Sequence, residues 1–501
     1  MELAFEQIQC SCLQRAAHMA LTQEQTQELI IPDSMPDAAR TLMCYAVPEL
    51  QSKTSRTGSL LVSGNLRTSC LYADETGAVQ LLSSDLPFSV QLENSALQET
   101  TQCVLQCSVR SADSRLINSR KVLLRIGVLV QADGYEPDTR TLAQVQGAPA
   151  CLQMRCETYR DLVPAEIGEC AVQVSEELQL PEGKAPIDRM VSCQVQAALT
   201  EQSLHGDKVL FKGTAYVHLS YLDEAGGVGT AVLPVPFSQY CQLQKSYDGQ
   251  QARVTLCLTG VQLEPVSADG GQKLLFGAGF AAQCMALEEQ ELTVCTDAYA
   301  TKGAFTPQWT EQDWIMHLDT QTLREPVRQT FEQEAAVVLD SRIYPDAPTT
   351  ERVEGGVVIH VPLRADVLYR DAGGAVQAAV FRTEATCRTE LRENGLCDAQ
   401  LQLQPEGYLA AGGGGIELRC DALFQLQSYV RQKLQSLSGG TLEQQTERGG
   451  SRPSVIICRC ADRQELWQLA KQYRTTAHAI EAANHLTQPE VEAGRLLLIP
   501  M

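Results

Sequence analysis

The feature that most constrains this chain is that it repeats itself at a period near 150 residues. "LYADETGAVQLLSSDLPFS" from Leu71 returns as "SYLDEAGGVGTAVLPVPFS" from Ser220 and, more worn, as "LYRDAGGAVQAAVFRTE" from Leu368. Tyr72, Tyr221 and Tyr369 fall 149 and 148 residues apart, each followed two positions on by an aspartate (Asp74, Asp223, Asp371) and then by glycine (Gly77, Gly226, Gly373). The flanks repeat too. "LIIPDSMPDAARTL" from Leu29 matches "LQLPEGKAPIDRMV" from Leu178, while only "RIYPDAPTT" from Arg342 survives in the third copy. Downstream, "SRKVLLRIGVLVQA" from Ser119 finds partners in "GGQKLLFGAGFAAQ" from Gly270 and "GGGIELRCDALFQLQ" from Gly413. A copy of this length can bury its own core, so the repeat is one of domains and not of solenoid turns.

Within a copy the pattern is that of half-buried strands: Leu60, Val62, Gly64, Leu66, Thr68, Cys70 and Tyr72 alternate with mostly polar neighbours at period two. "ADETG" and "DEAGG" carry the Asp and Gly that a hairpin turn needs for positive φ. The recurring aspartate therefore reads as turn chemistry and not as a catalytic carboxylate, since no second acid or histidine recurs beside it. The tyrosines read as cross-strand packing residues. Pro87-Phe88-Ser89 and Pro236-Phe237-Ser238 read as strand ends.

Charge excludes one class of partner. Forty Lys and Arg against 61 Asp and Glu give a net charge of -21, which repels nucleic acid and anionic bilayer surfaces. The start, "MELAFEQIQCSC", has no basic residue and no apolar run after it, and "KVLLRIGVLV" from Lys121 is too short to span a bilayer, so neither a secretory signal nor a direct membrane anchor is expected. Nineteen cysteines are scattered from Cys10 to Cys460 without disulfide-scaffold spacing, which suits a reducing compartment. The pairs Cys10/Cys12 and Cys458/Cys460 read as strand neighbours on one face. His205, His218, His317 and His360 show no metal-binding spacing. The expectation is no metal, no cofactor and no enzyme, for want of a nucleophile, a metal set or a carboxylate pair.

Residues 436–453, "SLSGGTLEQQTERGGSRP", read as a flexible linker. Beyond it, "VIICR" from Val455 and "RLLLIP" from Arg495 read as strands around two helices, a βααβ order. Leu466, Leu469, Ala470 and Tyr473 form a helical stripe, Asp462 with Glu465 fits a capping box, and Thr475 or Thr476 caps a second helix with Ile480 and Ala483 inward. Trp467 reads as core and Asn484 as a helix-end cap.

"ELWQLAKQYRTTAHAIEAANHL" from Glu465, with "AGRLLLIP" from Ala493, resembles the LysM domain. That resemblance implies recognition of N-acetylglucosamine polymers such as peptidoglycan in a shallow groove. Asp462, Arg463, Gln464 and Glu465 would form one wall, and Asn484, Leu486 and Thr487 the other. The family's usual Gly-Asp-Thr before Leu-Trp is here Arg463-Gln464-Glu465, and an arginine side chain fills space that glycine leaves for a sugar. The acidic turn, the Pro-Phe-Ser motif and the Arg/Lys-Leu-Leu strand of the upstream copies resemble the SPOCS domain of endospore-forming Firmicutes.

The resulting expectation is a mainly β chain of three tandem SPOCS-like repeat domains (1–146, 147–300 and a diverged 301–435), the linker, and a LysM domain at 454–501. The combined resemblance implies a non-enzymatic adaptor in spore coat assembly, acting in the mother-cell cytoplasm at the developing spore surface. Its partner would be an ATPase-type scaffold protein of the coat base. The alternative is a peptidoglycan-binding protein of the cell wall or spore cortex.

Overall fold

A computed structural model of the chain describes residues 4–247, 251–266, 272–392, 394–404, 408–412, 415–443 and 453–501. The fold is mainly β, with two short helices near the C-terminus among the described residues. No helix is long and apolar enough to cross a membrane.

The first unit comprises β1 (Ala4–Ile30), β2 (Ala38–Arg56), β3 (Ser59–Asp74), β4 (Val79–Glu93), β5 (Gln102–Asn118) and β6 (Lys121–Gln146). The second comprises β7 (Leu152–Gln179), β8 (Arg189–Leu222), β9 (Val228–Tyr247), β10 (Gln251–Pro265) and β11 (Lys273–Ala300). In the third are β12 (Ala304–Phe331), β13 (Val337–Pro345), β14 (Thr349–Val353), β15 (Gly356–Arg370) and β16 (Val376–Glu390). It is completed by β17 (Gly395–Leu403), β18 (Tyr408–Gly412) and β19 (Gly415–Glu443). In each unit the first strand pairs antiparallel with the last long one: β1 with β6, β7 with β11, β12 with β19. The C-terminal module holds β20 (Val455–Arg459), β21 (Gln464–Glu465), α1 (Leu466–Tyr473), α2 (Ala477–Asn484), β22 (Glu490–Val491) and β23 (Leu496–Pro500).

The three tyrosine hairpins share one register. Tyr72 faces Gln80, Tyr221 faces Gly229 and Tyr369 faces Gln377 across their strand pairs. In each turn the aspartate Oδ1 accepts a backbone N–H four residues on: Ala78 to Asp74, Gly227 to Asp223, Ala375 to Asp371. Gly77, Gly226 and Gly374 take the positive φ that this closure requires. In the third turn that glycine is the second of the pair, not Gly373.

The alternation in β3 holds from Leu60 to Thr68, but beyond it both faces are buried, Cys70 and Tyr72 in the unit's own core and Leu71 and Ala73 in a cluster shared with the other units. Pro87-Phe88-Ser89 and Pro236-Phe237-Ser238 are not strand ends. They lie mid-strand on β4 and β9, edge strands where a missing N–H breaks no ladder. Phe88 and Phe237 lie across from Gly64 and Gly213, and a Cβ on either glycine would collide with the ring. In the third unit the matching pair is Val361 and Ala385, which exchanges ring-over-glycine for two mid-sized side chains at similar total volume.

Residues 436–443 are not a linker. They continue β19, paired with β12, where Leu437 and Leu442 are buried and Gly440 faces Pro307. The glycines hid this strand from its sequence: Gly439 and Gly440 make room for the side chains of Gln308 and Phe305 lying across them. The rest of the expected linker, 444–452, lies outside the described residues, as do the first glycines of the two downstream repeat segments, 270–271 and 413–414.

The units do not string out; they pack against one another. One shared cluster joins Leu42, Met43 and Leu71 of the first unit, Val191 and Leu222 of the second and Leu368 of the third. Beside it, buried Asp340 accepts from Tyr45 Oη at 2.8 Å, Ser220 Oγ at 2.6 Å and Arg342 Nη1 at 2.9 Å, one contact from each unit. A second node forms where buried Arg140 of the first unit meets Asp161 of the second at 3.0 Å. Arg140 also donates to Ile315 O, its guanidinium stacks 4.2 Å from the Trp314 ring, and Asp161 accepts the His317 N–H, all on the third unit. Buried charges persist when every partner is supplied, and here three units supply them.

Candidate functional site

The C-terminal module is built on β20 and β23, paired in register from Val455 with Pro500 to Arg459 with Leu496. Leu466, Leu469 and Ala470 of α1, Ile480 of α2, and Val491, Leu497 and Ile499 form its core, as the helical stripe predicts. Thr476 caps α2, its Oγ1 accepting the Ala479 N–H at 3.1 Å. Both helices end in a left-handed residue, Arg474 and His485.

The capping box does not form. α1 starts at Leu466 with Glu465 at its N-cap, and neither Glu465 nor exposed Asp462 makes a side-chain cap bond. The Glu465 carboxylate instead accepts from Arg155 Nη1 on β7 at 2.7 Å. The competing partner is a charge on another unit, which a local sequence rule does not include. Asn484 is the last residue of α2, yet its side chain bonds across to β23: Nδ2 donates to Leu498 O at 2.6 Å and Oδ1 accepts the Leu498 N–H at 2.7 Å. The other Nδ2 proton goes to Ile480 O at 2.8 Å in the last turn of α2, so the side chain both holds the helix end and ties it to the strand.

The first expected wall meets the return segment that follows the second. Gln464 and Glu465 pair as β21 with Val491 and Glu490 of β22, and Leu466 N–H donates to Pro489 O. Arg463 and Gln464 are exposed, Leu486 is half-buried against the core, and Thr487 is exposed. The Arg463 guanidinium donates through Nε to Glu490 Oε2 at 2.6 Å, so one ion pair joins the first wall to the return segment. Glu490 was not singled out from the sequence. The signal available was its place after Pro489, in the return loop opposite an unusual arginine.

Trp467 is neither fully core nor free. Half-buried, it donates its indole N–H to Asp297 Oδ2 at 2.8 Å and meets Tyr299 edge-on at 4.9 Å between centroids and 70° between planes. Lys471 Nζ donates to the other Asp297 oxygen at 2.6 Å, and Tyr299 Oη to Thr475 O at 2.9 Å. Burial alone would raise the Asp297 pKa, but donation from Lys471 and Trp467 overcomes it and holds the carboxyl below its ordinary value. α1 is thus seated on the C-terminal end of β11. The seat residues Asp297, Tyr299 and Arg155 escaped the sequence reading, because nothing local marks a strand end as a docking surface.

Residues 465–500 match the LysM domain family. No curated protein and no solved structure matches the chain. LysM domains as a family bind N-acetylglucosamine polymers. One more feature of the LysM module bears on recognition. On the outer face of its strand pair, Val455, Ile457, Leu496 and Leu498 are exposed, Ile457 by 69% and Leu496 by 66%, while Ile456, Leu497 and Ile499 point inward.

Proposed function

We propose that this is a non-enzymatic binding protein in which packed SPOCS-like β units hold out the LysM module. In this reading the module docks to an ATPase-type scaffold protein of the spore coat base, in the mother-cell cytoplasm at the developing spore surface. The Arg463–Glu490 pair carries the choice of a protein over a sugar. It occupies the approach that glycine leaves open in a glycan-binding groove, and both Asn484 amide protons are already donated, to Ile480 O and Leu498 O. The exposed apolar face of Val455, Ile457, Leu496 and Leu498 supports the same reading, since contiguous apolar surface rimmed by polar residues suits a protein partner. The acids that recur in every unit are committed to turn backbones, which leaves them no role as a catalytic pair.

The second reading, peptidoglycan binding, is favoured by the family match itself. Two titrations separate the readings: the full chain against a purified coat-base ATPase, and against chito-oligosaccharides or soluble muropeptides by calorimetry. The adaptor reading expects saturable binding to the ATPase that Ile457→Glu abolishes, and no heat with sugar. Saturable heat with muropeptides and none with the ATPase would replace it by the second reading. Clearing of peptidoglycan on zymograms would sink the non-enzymatic assignment in both.

A further inference from the structure

The second unit contains a cluster that neither the LysM module nor the repeat explains. Cys170 on β7, Cys241 on β9 and Cys284 on β11 bring their sulfurs within 4.8 Å of one another. We propose that these three thiols form a binding site for a thiophilic divalent cation of the zinc class, held by three thiolates with a fourth position open toward solvent at Cys170.

The geometry suits such an ion. Zinc–sulfur bonds of about 2.3 Å place three coordinated sulfurs roughly 3.8 to 4.0 Å apart, so the thiols need to close by less than about an ångström. All three sit on strands whose inward residues build the unit's core, and Cys241 and Cys284 are fully buried at its rim. Cys170 is half-buried and gives the ion a way in. Opposite Cys284 in register stands Gly168, where a Cβ would approach Leu243 to 2.7 Å and Cys241 Sγ to 3.5 Å. Glycine there leaves Cys241 room to reach the other two sulfurs.

The cluster is not a requirement of the repeated fold. The residue paired with Val209 is Cys241, but the residue at the same register is Leu92 opposite Leu60 in the first unit and Thr389 opposite Val357 in the third. A small apolar filler would have served all three units alike. On binding, each thiol releases its proton to solvent as its sulfur lone pair takes the metal, leaving zinc with three thiolates and one unit of net negative charge. A cuprous ion at the same place would leave two, a harder burden for a buried rim.

The test uses the full chain, reduced, stripped with chelator and titrated anaerobically with cobalt(II). Thiolate-to-cobalt charge-transfer absorption should appear, saturate at a single equivalent and vanish on adding zinc. Zinc should raise the melting temperature in a concentration-dependent way. Cys170→Ser, at the half-buried corner, should keep the far-UV spectrum and weaken binding at least tenfold; Cys241→Ser should abolish the band. Cys151→Ser, elsewhere on the same unit, should change nothing. Absence of the band in folded, reduced protein would overturn the proposal. So would a band that survives Cys170→Ser at full affinity, preference for cuprous ion over zinc, or isolation of the chain with two of these cysteines joined as a disulfide.

Discussion

Replacing Asp297 by alanine should unseat the LysM module from the β units without unfolding it. Asp297 receives the Trp467 indole N–H at 2.8 Å and the Lys471 ammonium at 2.6 Å. The first is a half-buried hydrogen bond to a charged acceptor, worth about 1.5 to 3 kcal/mol. Lys471 is 41% exposed, so its ion pair adds at most about 1 kcal/mol after solvent screening. The Tyr299–Trp467 ring contact and the Tyr299–Thr475 hydrogen bond remain, so the loss is about 1.5 to 4 kcal/mol out of a larger seat. At about 1.4 kcal/mol per decade, the undocked population rises roughly 10- to 700-fold. The assay is solvent exchange of the Trp467 indole proton by NMR, with the Ile480 backbone amide as internal reference. Indole exchange should accelerate by that factor. The Ile480 amide should hold its protection, because Leu466, Leu469, Ala470, Ile480, Leu497 and Ile499 give the module a core of its own. Unchanged indole exchange would refute the seat. Acceleration of both signals together would refute the claim that the module folds independently of it.

The same carboxylate makes docking acid-sensitive. Its folded pKa lies below the ordinary value, so the stabilisation is fully present above that ordinary value, about pH 4, and is lost as pH falls through the depressed one; Trp467 indole exchange followed from pH 6 to pH 3 should show it. Arg140→Ala should cost about 3 to 5 kcal/mol in denaturant melts, because it strands Asp161, whose side chain is 1% exposed. Trp467→Ala should weaken docking and also lower Ile480 amide protection, since the ring bonds Asp297, meets Tyr299 and packs against the module's own core. Arg463→Gly should preserve the fold and release Glu490; sugar binding gained in that variant, read by calorimetry, would identify the arginine as the block.

Strand character was legible wherever one face is buried and the other wet, as along Leu60 to Thr68, because a period-two pattern follows from burial alone. Turn chemistry was equally legible at Asp74, Asp223 and Asp371, since a side chain that closes its own turn carries its reason within a few residues. The LysM helices were legible for the same local reason. What escaped is what depends on a distant partner. Glu465 satisfies a capping pattern but is held by Arg155 more than three hundred residues away. The end of β19 reads as a glycine-rich linker because its apolar partner side chains belong to β12. Arg140, Asp161 and Trp314 show nothing in sequence, each being a single residue in its own strand. At the expected groove, Arg463 is met by Glu490, an acid outside the residues that the resemblance named.

A residue that recurs at the repeat period answers to a demand that each unit makes separately, and the recurring residues here all serve the backbone: aspartate closes the turn, glycine takes positive φ, tyrosine covers the opposing strand. Where the units must do something jointly, recurrence becomes impossible, because one unit supplies the acid, another the base and a third the ring. Arg140 with Asp161 and Trp314 has this form, and Asp340 likewise draws Tyr45 and Ser220 from the other two units. The seat for the LysM module follows the same logic: only the second unit ends in Asp297 and Tyr299 at the place where α1 lands. A unit excised and expressed alone should therefore keep its hairpins and lose the nodes. Any role in recognition is then to be sought in the residues that break the repeat, and substitution of Asp74 or Tyr72, which obey it, should disturb folding before it disturbs binding.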